Sequence, residues 1–159
     1  MVFFFSRTQK TKVFAEVLQK ILNMPLYELR SSLNTKNFFN MVKGCILAFM
    51  KKPYSVYNMP EDITDSEIYI CSPIWAGQIA PPVRYFLQNA DLSQRKVNLL
   101  LTCASFTGSD TYCAAALEVI HTIPCIPGKA YVFATTNEMP DRAVIEEQIK
   151  KMMFSDDET

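Results

Sequence analysis

Val2-Phe3-Phe4-Phe5, then Ser6-Arg7-Thr8-Gln9-Lys10-Thr11, then the segment from Val13 to Leu22 decide how this chain folds. Four consecutive apolar residues without polar alternation fit a strand covered on both faces. The next six residues are polar and carry three hydroxyls. Val13, Phe14, Val17, Leu18, Ile21 and Leu22 recur at i, i+1, i+4 and i+5, with Lys12, Glu16 and Lys20 on the opposite side, which is the spacing of an amphipathic helix. Pro25 closes it. A buried strand feeding straight into such a helix is the start of an α/β layer structure.

The alternation continues outward from there. Leu26-Tyr27-Glu28-Leu29 predicts an edge strand, since a covered central strand does not readily carry Glu28. Residues 36 to 51 have helical spacing, with Phe38, Phe39, Val42, Ile46 and Phe49 on one side and Lys36, Lys43, Lys51 and Lys52 elsewhere. A loop from Lys52 to Asp65 leads into a third strand, Ile68 to Cys71. Pro81 and Pro82 suit the first turn of a helix reaching Asn89. Val97 to Leu101 predicts a fourth strand, Asp110 a cap for a helix to about Ile120, Ala130 to Ala134 a fifth strand, and Pro140 to Met153 a fifth helix. Five strand–helix alternations predict a parallel sheet with helices on both faces. Residues 1–154 read as one domain and 155–159 as an acidic tail.

The composition excludes several function classes. In 159 residues there are 16 basic and 16 acidic side chains, so no overall basic footprint points to nucleic acid. No uncharged stretch approaches the roughly 20 residues of a bilayer span. The five cysteines, at 45, 71, 103, 113 and 125, have neither CxxC nor zinc-finger spacing and read as reduced core thiols, which fits a cytoplasmic protein. No metal site is expected. The lone His121 has no acid near it in sequence, and no G-x-S-x-G elbow is present, so hydrolase chemistry is not indicated.

In a parallel sheet of this kind ligands bind beyond the carboxyl ends of the strands, which puts function in the loops after Phe5, Cys71 and Leu101. The first loop combines the Ser6, Thr8 and Thr11 hydroxyls with a helix start and its free amides, a setting for a phosphate dianion. The second, Ser72-Pro73-Ile74-Trp75-Ala76-Gly77, holds the only Trp, on which a flat ring system can stack. The third, Thr102-Cys103-Ala104-Ser105-Phe106-Thr107-Gly108-Ser109, is rich in small polar residues. Phosphate, ring and polar edge together describe flavin mononucleotide, FMN. The tyrosines read as packing, with Tyr112 a weak exception beside the third loop.

On these residues the chain resembles the flavodoxin-like family over nearly its whole length. Ser6-Arg7-Thr8 with Thr11 is similar to the family's hydroxyl-rich phosphate loop, and Ser72 to Gly77, followed by Pro81-Pro82-Val83, to its isoalloxazine loop and succeeding helix. The resemblance implies a three-layer sandwich with a five-stranded parallel sheet in the order 2-1-3-4-5. It implies FMN held by Ser6, Arg7, Thr8, Gln9, Lys10 and Thr11 at the phosphate, by Pro73, Ile74, Trp75, Ala76 and Gly77 beside the ring, and by Thr102, Ser105, Phe106 and Gly108 at its polar edge. It also implies a peptide at Ala76-Gly77 that turns its carbonyl toward the flavin N5 hydrogen.

One departure stands out: Gln9-Lys10 occupies the place of the family's usual Gly-Asn, and a left-handed backbone at Gln9 would cost roughly 1–2 kcal/mol. The implied function is electron transfer through bound flavin, with a redox protein or a small electron acceptor as partner. An FMN-dependent NAD(P)H or quinone oxidoreductase and a flavin-free binding module stay open beside it.

Overall fold

A computed structural model of the chain describes residues 1–33, 37–104, 108–135 and 141–154. The elements follow as β1 (Val2–Phe4), α1 (Lys10–Leu22), β2 (Leu26–Glu28), α2 (Phe38–Phe49), β3 (Glu67–Trp75), β4 (Gln78–Ile79), α3 (Pro81–Asn89), β5 (Lys96–Cys103), α4 (Ser109–Ile120), β6 (Ile126–Ala134) and α5 (Arg142–Phe154). Parallel pairing runs β2-β1-β3-β5-β6, which is the expected order once β4 is set aside. That short sixth strand pairs antiparallel with the end of β3.

Strand alternation divides the interior into two cores. Phe3, Ile68, Ile70, Leu99 and Leu101 face one way, against Val83 and Phe86 of α3 and Val119 and Ile120 of α4. Val2, Phe4, Cys71 and Leu100 face the other way, against Phe14 and Leu18 of α1 and Ile145 and Ile149 of α5. β1 therefore has no solvent side, which is why its sequence lacks polar residues. β2 lies at the sheet edge, where Glu28 pairs with Arg30 at 3.6 Å.

Three expectations need correction. The predicted third strand runs four residues past Cys71, so Ser72, Pro73, Ile74 and Trp75 are strand rather than loop. The Phe5 N–H donates to the Cys71 carbonyl as β1 ends; two residues on, Pro73 turns its missing N–H to that same, now vacant, side while still in register with Thr102. The fourth strand likewise includes Thr102 and Cys103. Asp110 does not cap α4; Gly108, at φ 88°, holds the cap position and Asp110 lies in the first turn. Pro140 lies outside the described residues, and Asp141 accepts from the Ala143 N–H (2.7 Å) at the start of α5.

α2 is the largest surprise. Asn37 caps it, accepting from the Phe39 N–H at 3.0 Å. Only Gly44 and Ala48 are buried, and the Phe38–Phe49 stripe faces outward. The Trp75 indole fills the space beneath: a Cβ on Gly44 would stand 2.7 Å from its Cζ3. Only a position without a side chain can close on the indole. Ala favours an exposed helix over Gly by about 1 kcal/mol. Even so, Gly44→Ala is expected to lower stability by roughly 1–3 kcal/mol through overpacking, read as a lower urea midpoint; a raised midpoint would show that the indole does not press on α2.

Candidate functional site

At the carboxyl ends of β1, β3 and β5 the chain leaves the sheet and its polar groups collect. After Phe5 it turns into α1 through Gln9, whose backbone is left-handed at φ 66°. That turn lets the Gln9 carbonyl accept the Val13 N–H at 3.1 Å, the first hydrogen bond of the helix ladder. The amides ahead of Val13 precede the ladder and point out of the helix end. No acid stands in this first turn, so the positive end of the dipole is not neutralised there.

Two hydroxyls at this helix start differ in role. Thr11 and Thr102, both buried, share a hydrogen bond of 2.8 Å that ties α1 to the end of β5. Ser6 Oγ is also buried, yet finds no hydrogen-bond partner among the described residues. A buried hydroxyl left unpaired costs about 1–3 kcal/mol, which a bound acceptor would recover. Thr8 and Gln9 are exposed, and Arg7 and Lys10 half-buried. The donor set suits an oxyanion.

Beside it, β3 and β4 form a hairpin with Ile74 opposite Ile79 and Trp75 opposite Gln78. Its two turn residues are Ala76 (φ 48°) and Gly77 (φ 78°), the positive pair of a type I′ turn. Ser72 is spent inside the fold: its hydroxyl accepts the Ala80 N–H (3.1 Å) at the start of α3 and donates to the Pro73 carbonyl (2.9 Å). The half-buried Trp75 meets Phe5 edge-on, ring centroids 5.7 Å apart at 77°, and presses on Gly44 from below. Tyr112 lies beside two further glycines; a Cβ would lie 3.9 Å from its ring at Gly77 and 3.4 Å at Gly108. The structure thus joins the hairpin turn, the start of α4 and the start of α1 at one rim of the sheet.

Three solved structures share this architecture. A provisionally named flavoprotein from Bacteroides uniformis ATCC 8492 superposes with a TM-score of 0.73 at 20% identity, covering 95% of this chain and 97% of that one. The fold is flavodoxin-like. A flavoprotein in complex with FMN from Lactobacillus acidophilus NCFM gives 0.64 at 18% identity over 82% of this chain and 90% of its own. An NADH:FMN oxidoreductase, EmoB, in its apo form gives 0.54 at 12% identity, with 97% and 88% covered. No family model and no curated protein matches the chain.

Within the flavodoxin-like frame, the structure brings Ser6 to Thr11, Thr102, Trp75, Ala76, Gly77 and Gly108 to the strand ends. Pro73 and Ile74 sit lower, as part of the β3 ladder and hairpin. Ser105 and Phe106 lie outside the described residues. Sequence reading underrated Tyr112 and attached no role to Gly44. The signal for Tyr112 was its i+4 spacing from Gly108, whose carbonyl accepts the Tyr112 N–H at 3.0 Å. Burial pushes the Cys71 thiol up, and the Cys113 thiol too, with Asp110 adding to it, so neither is a ready nucleophile. Among the described residues no three His, Cys, Asp or Glu side chains group as a metal site, and no helix is long and apolar enough to cross a membrane.

The left-handed Gln9 carries strain that glycine would relieve. Gly loses more chain entropy on folding, but the relief is larger, so Gln9→Gly is expected to stabilise the protein by about 0.5–1 kcal/mol in urea unfolding. A destabilised variant would place Gln9 outside the left-handed region.

Proposed function

We propose that the chain is an FMN-binding flavoprotein that transfers electrons through its cofactor. The single observation that carries this is Ser6 Oγ, a buried hydroxyl with no hydrogen-bond partner among the described residues, beside an acid-free helix start. Ser6, Thr8 and Thr11, with the opening amides of α1, would hold the phosphate, while Arg7, Gln9 and Lys10 complete that loop. Trp75, Ala76, Gly77, Thr102, Gly108 and Tyr112 would line the ring, with Ser105 and Phe106 assigned there by sequence alone. When bound, FMN supplies one- and two-electron chemistry, and the protein tunes it by packing and hydrogen bonding. The FMN complex of the Lactobacillus acidophilus flavoprotein supports the choice of ligand, given the shared fold.

This chain departs from the flexible-peptide expectation at Ala76. Turning over the central peptide of the hairpin would convert a type I′ turn to II′, whose first central position calls for glycine. Ala76 opposes that change, so the peptide is held in one orientation. The protein's part at that edge is therefore a fixed backbone wall, with Tyr112 beside Gly77 and Gly108.

A second reading, an FMN-dependent oxidoreductase acting on a nicotinamide cofactor, draws on the likeness to the NADH:FMN oxidoreductase EmoB. Sustained NADH oxidation by the FMN-loaded protein without any partner protein would select it; a single flavin reduction at most is expected of a carrier.

Flavin-fluorescence quenching measures FMN binding directly. Removing one hydrogen bond to a charged phosphate costs about 1.5–3 kcal/mol, so Ser6→Ala is expected to weaken FMN about ten- to hundredfold. The same variant deletes an unpaired buried hydroxyl, so the apo protein should be as stable as wild type or more so. No saturable quenching by wild type would exclude FMN as the ligand; unchanged affinity in Ser6→Ala would exclude this phosphate site.

A further inference from the structure

We infer that the outward face of α2 is a docking surface for an acidic redox carrier protein, an assignment that rests on the flavoprotein function proposed above. Phe38, Phe39 and Phe49 are 66%, 78% and 76% exposed, and Val42, Ile46 and Met50 are exposed beside them. Their spacing puts them on one side of the helix, opposite buried Gly44 and Ala48. Isolated apolar residues at a surface are ordinary, but a contiguous aromatic patch marks a contact site.

Charge identifies the occupant. From Leu29 to Pro60 the sequence has no Asp or Glu and five basic residues, Arg30, Lys36, Lys43, Lys51 and Lys52. Because the whole chain is neutral, everything outside this segment carries a net excess of five acids. Lys43 in α2 and Lys51 and Lys52 just past its end flank the stripe, so an acidic partner is drawn toward this segment and repelled by the acidic remainder, which favours one orientation at encounter. A second copy is disfavoured, since an isologous contact would bring the basic segments of both copies together. Lys51, paired with Glu118 at 3.1 Å, and Lys43, 4.9 Å over the Tyr54 ring, are fixed in place beside the stripe.

Position supplies the purpose. Gly44, on the inner side of α2, rests on Trp75 at the rim of the candidate flavin site. A partner on the outer side is separated from that rim by one helix, roughly 10–12 Å thick. Each encounter would pass one electron from the partner's reduced one-electron centre, oxidising it by one unit, to the flavin, with solvent supplying any proton needed for charge balance. Two encounters complete a two-electron reduction.

The test uses the FMN-loaded full chain and a photoreduced plant-type [2Fe–2S] ferredoxin, an acidic one-electron carrier, with flavin bleaching followed by stopped flow. The expected second-order rate constant falls at least tenfold in the triple variant Phe38→Ser/Phe39→Ser/Phe49→Ser and at least fivefold on raising NaCl from 20 to 500 mM. FMN affinity and the rate of reduction by dithionite should stay unchanged, which separates docking from damage to the flavin site. Equal ferredoxin rates in wild type and variant, or no ferredoxin reduction where dithionite succeeds, overturn the proposal. So does a wild-type dimer in sedimentation velocity that the triple variant dissolves, or co-sedimentation with phosphatidylserine-containing vesicles that it abolishes. If the chain binds no FMN, the flavoprotein function fails by itself. Docking is then read calorimetrically with the same ferredoxin and apo chain: saturable, salt-sensitive binding lost in the triple variant keeps it, and its absence removes it.

Discussion

A hydroxyl sealed from water with nothing in the protein to bond is a debt a fold seldom carries without a use. Among the described residues Ser6 Oγ is in that position, one residue past the last hydrogen bond of β1 to β3, where Phe5 N–H meets the Cys71 carbonyl. The turn that follows is itself strained at Gln9, and it leaves the first amides of α1 pointing into the same space. Thr11 and Thr102 lock the position of this helix start against β5. Strain, an unpaired hydroxyl and an uncompensated dipole end coincide within six residues. An oxyanion bound there would satisfy the Ser6 hydroxyl and the helix end together.

The rest of the rim is arranged around Trp75. β3 extends beyond β1 to reach it, the two-residue turn at Ala76 and Gly77 sends the chain back as β4, and α2 closes on the indole only because Gly44 has no side chain. Tyr112 holds the turn from the side of α4. Packing the inner side of α2 on one large ring has an outer consequence. The small residues face inward, so the phenylalanines of the same helix are left to solvent. Core packing and the aromatic surface patch are thus two sides of one local solution.

Much of the architecture was legible because each buried strand is an unbroken apolar run and each helix a periodic one. Val2 to Phe5 and Ile68 to Cys71 have no other ready reading, and Val97 to Leu101 is broken only by Asn98. The polar turn from β1 into α1 was legible for the same reason, since it lies between a buried apolar run and a periodic helix. The extension of β3 was hidden because Pro73 and its small polar neighbour read as a loop, and only the early end of β1 makes proline acceptable there. β4 is two residues long, too short for any period. The orientation of α2 was hidden because periodicity finds an apolar stripe but cannot say that an indole already fills the space it would occupy. At α4, an acid in the first turn drew attention from Gly108, whose left-handed backbone takes the cap position.

The central claim is that Ser6 Oγ waits for a ligand phosphate at the opening of α1. A crystal structure of the chain grown with FMN tests it most directly. The expected density places a phosphate oxygen about 2.5–3.0 Å from Ser6 Oγ, with the isoalloxazine beside Trp75. Density for the phosphate elsewhere, with Ser6 Oγ hydrogen-bonded to the protein instead, would contradict it.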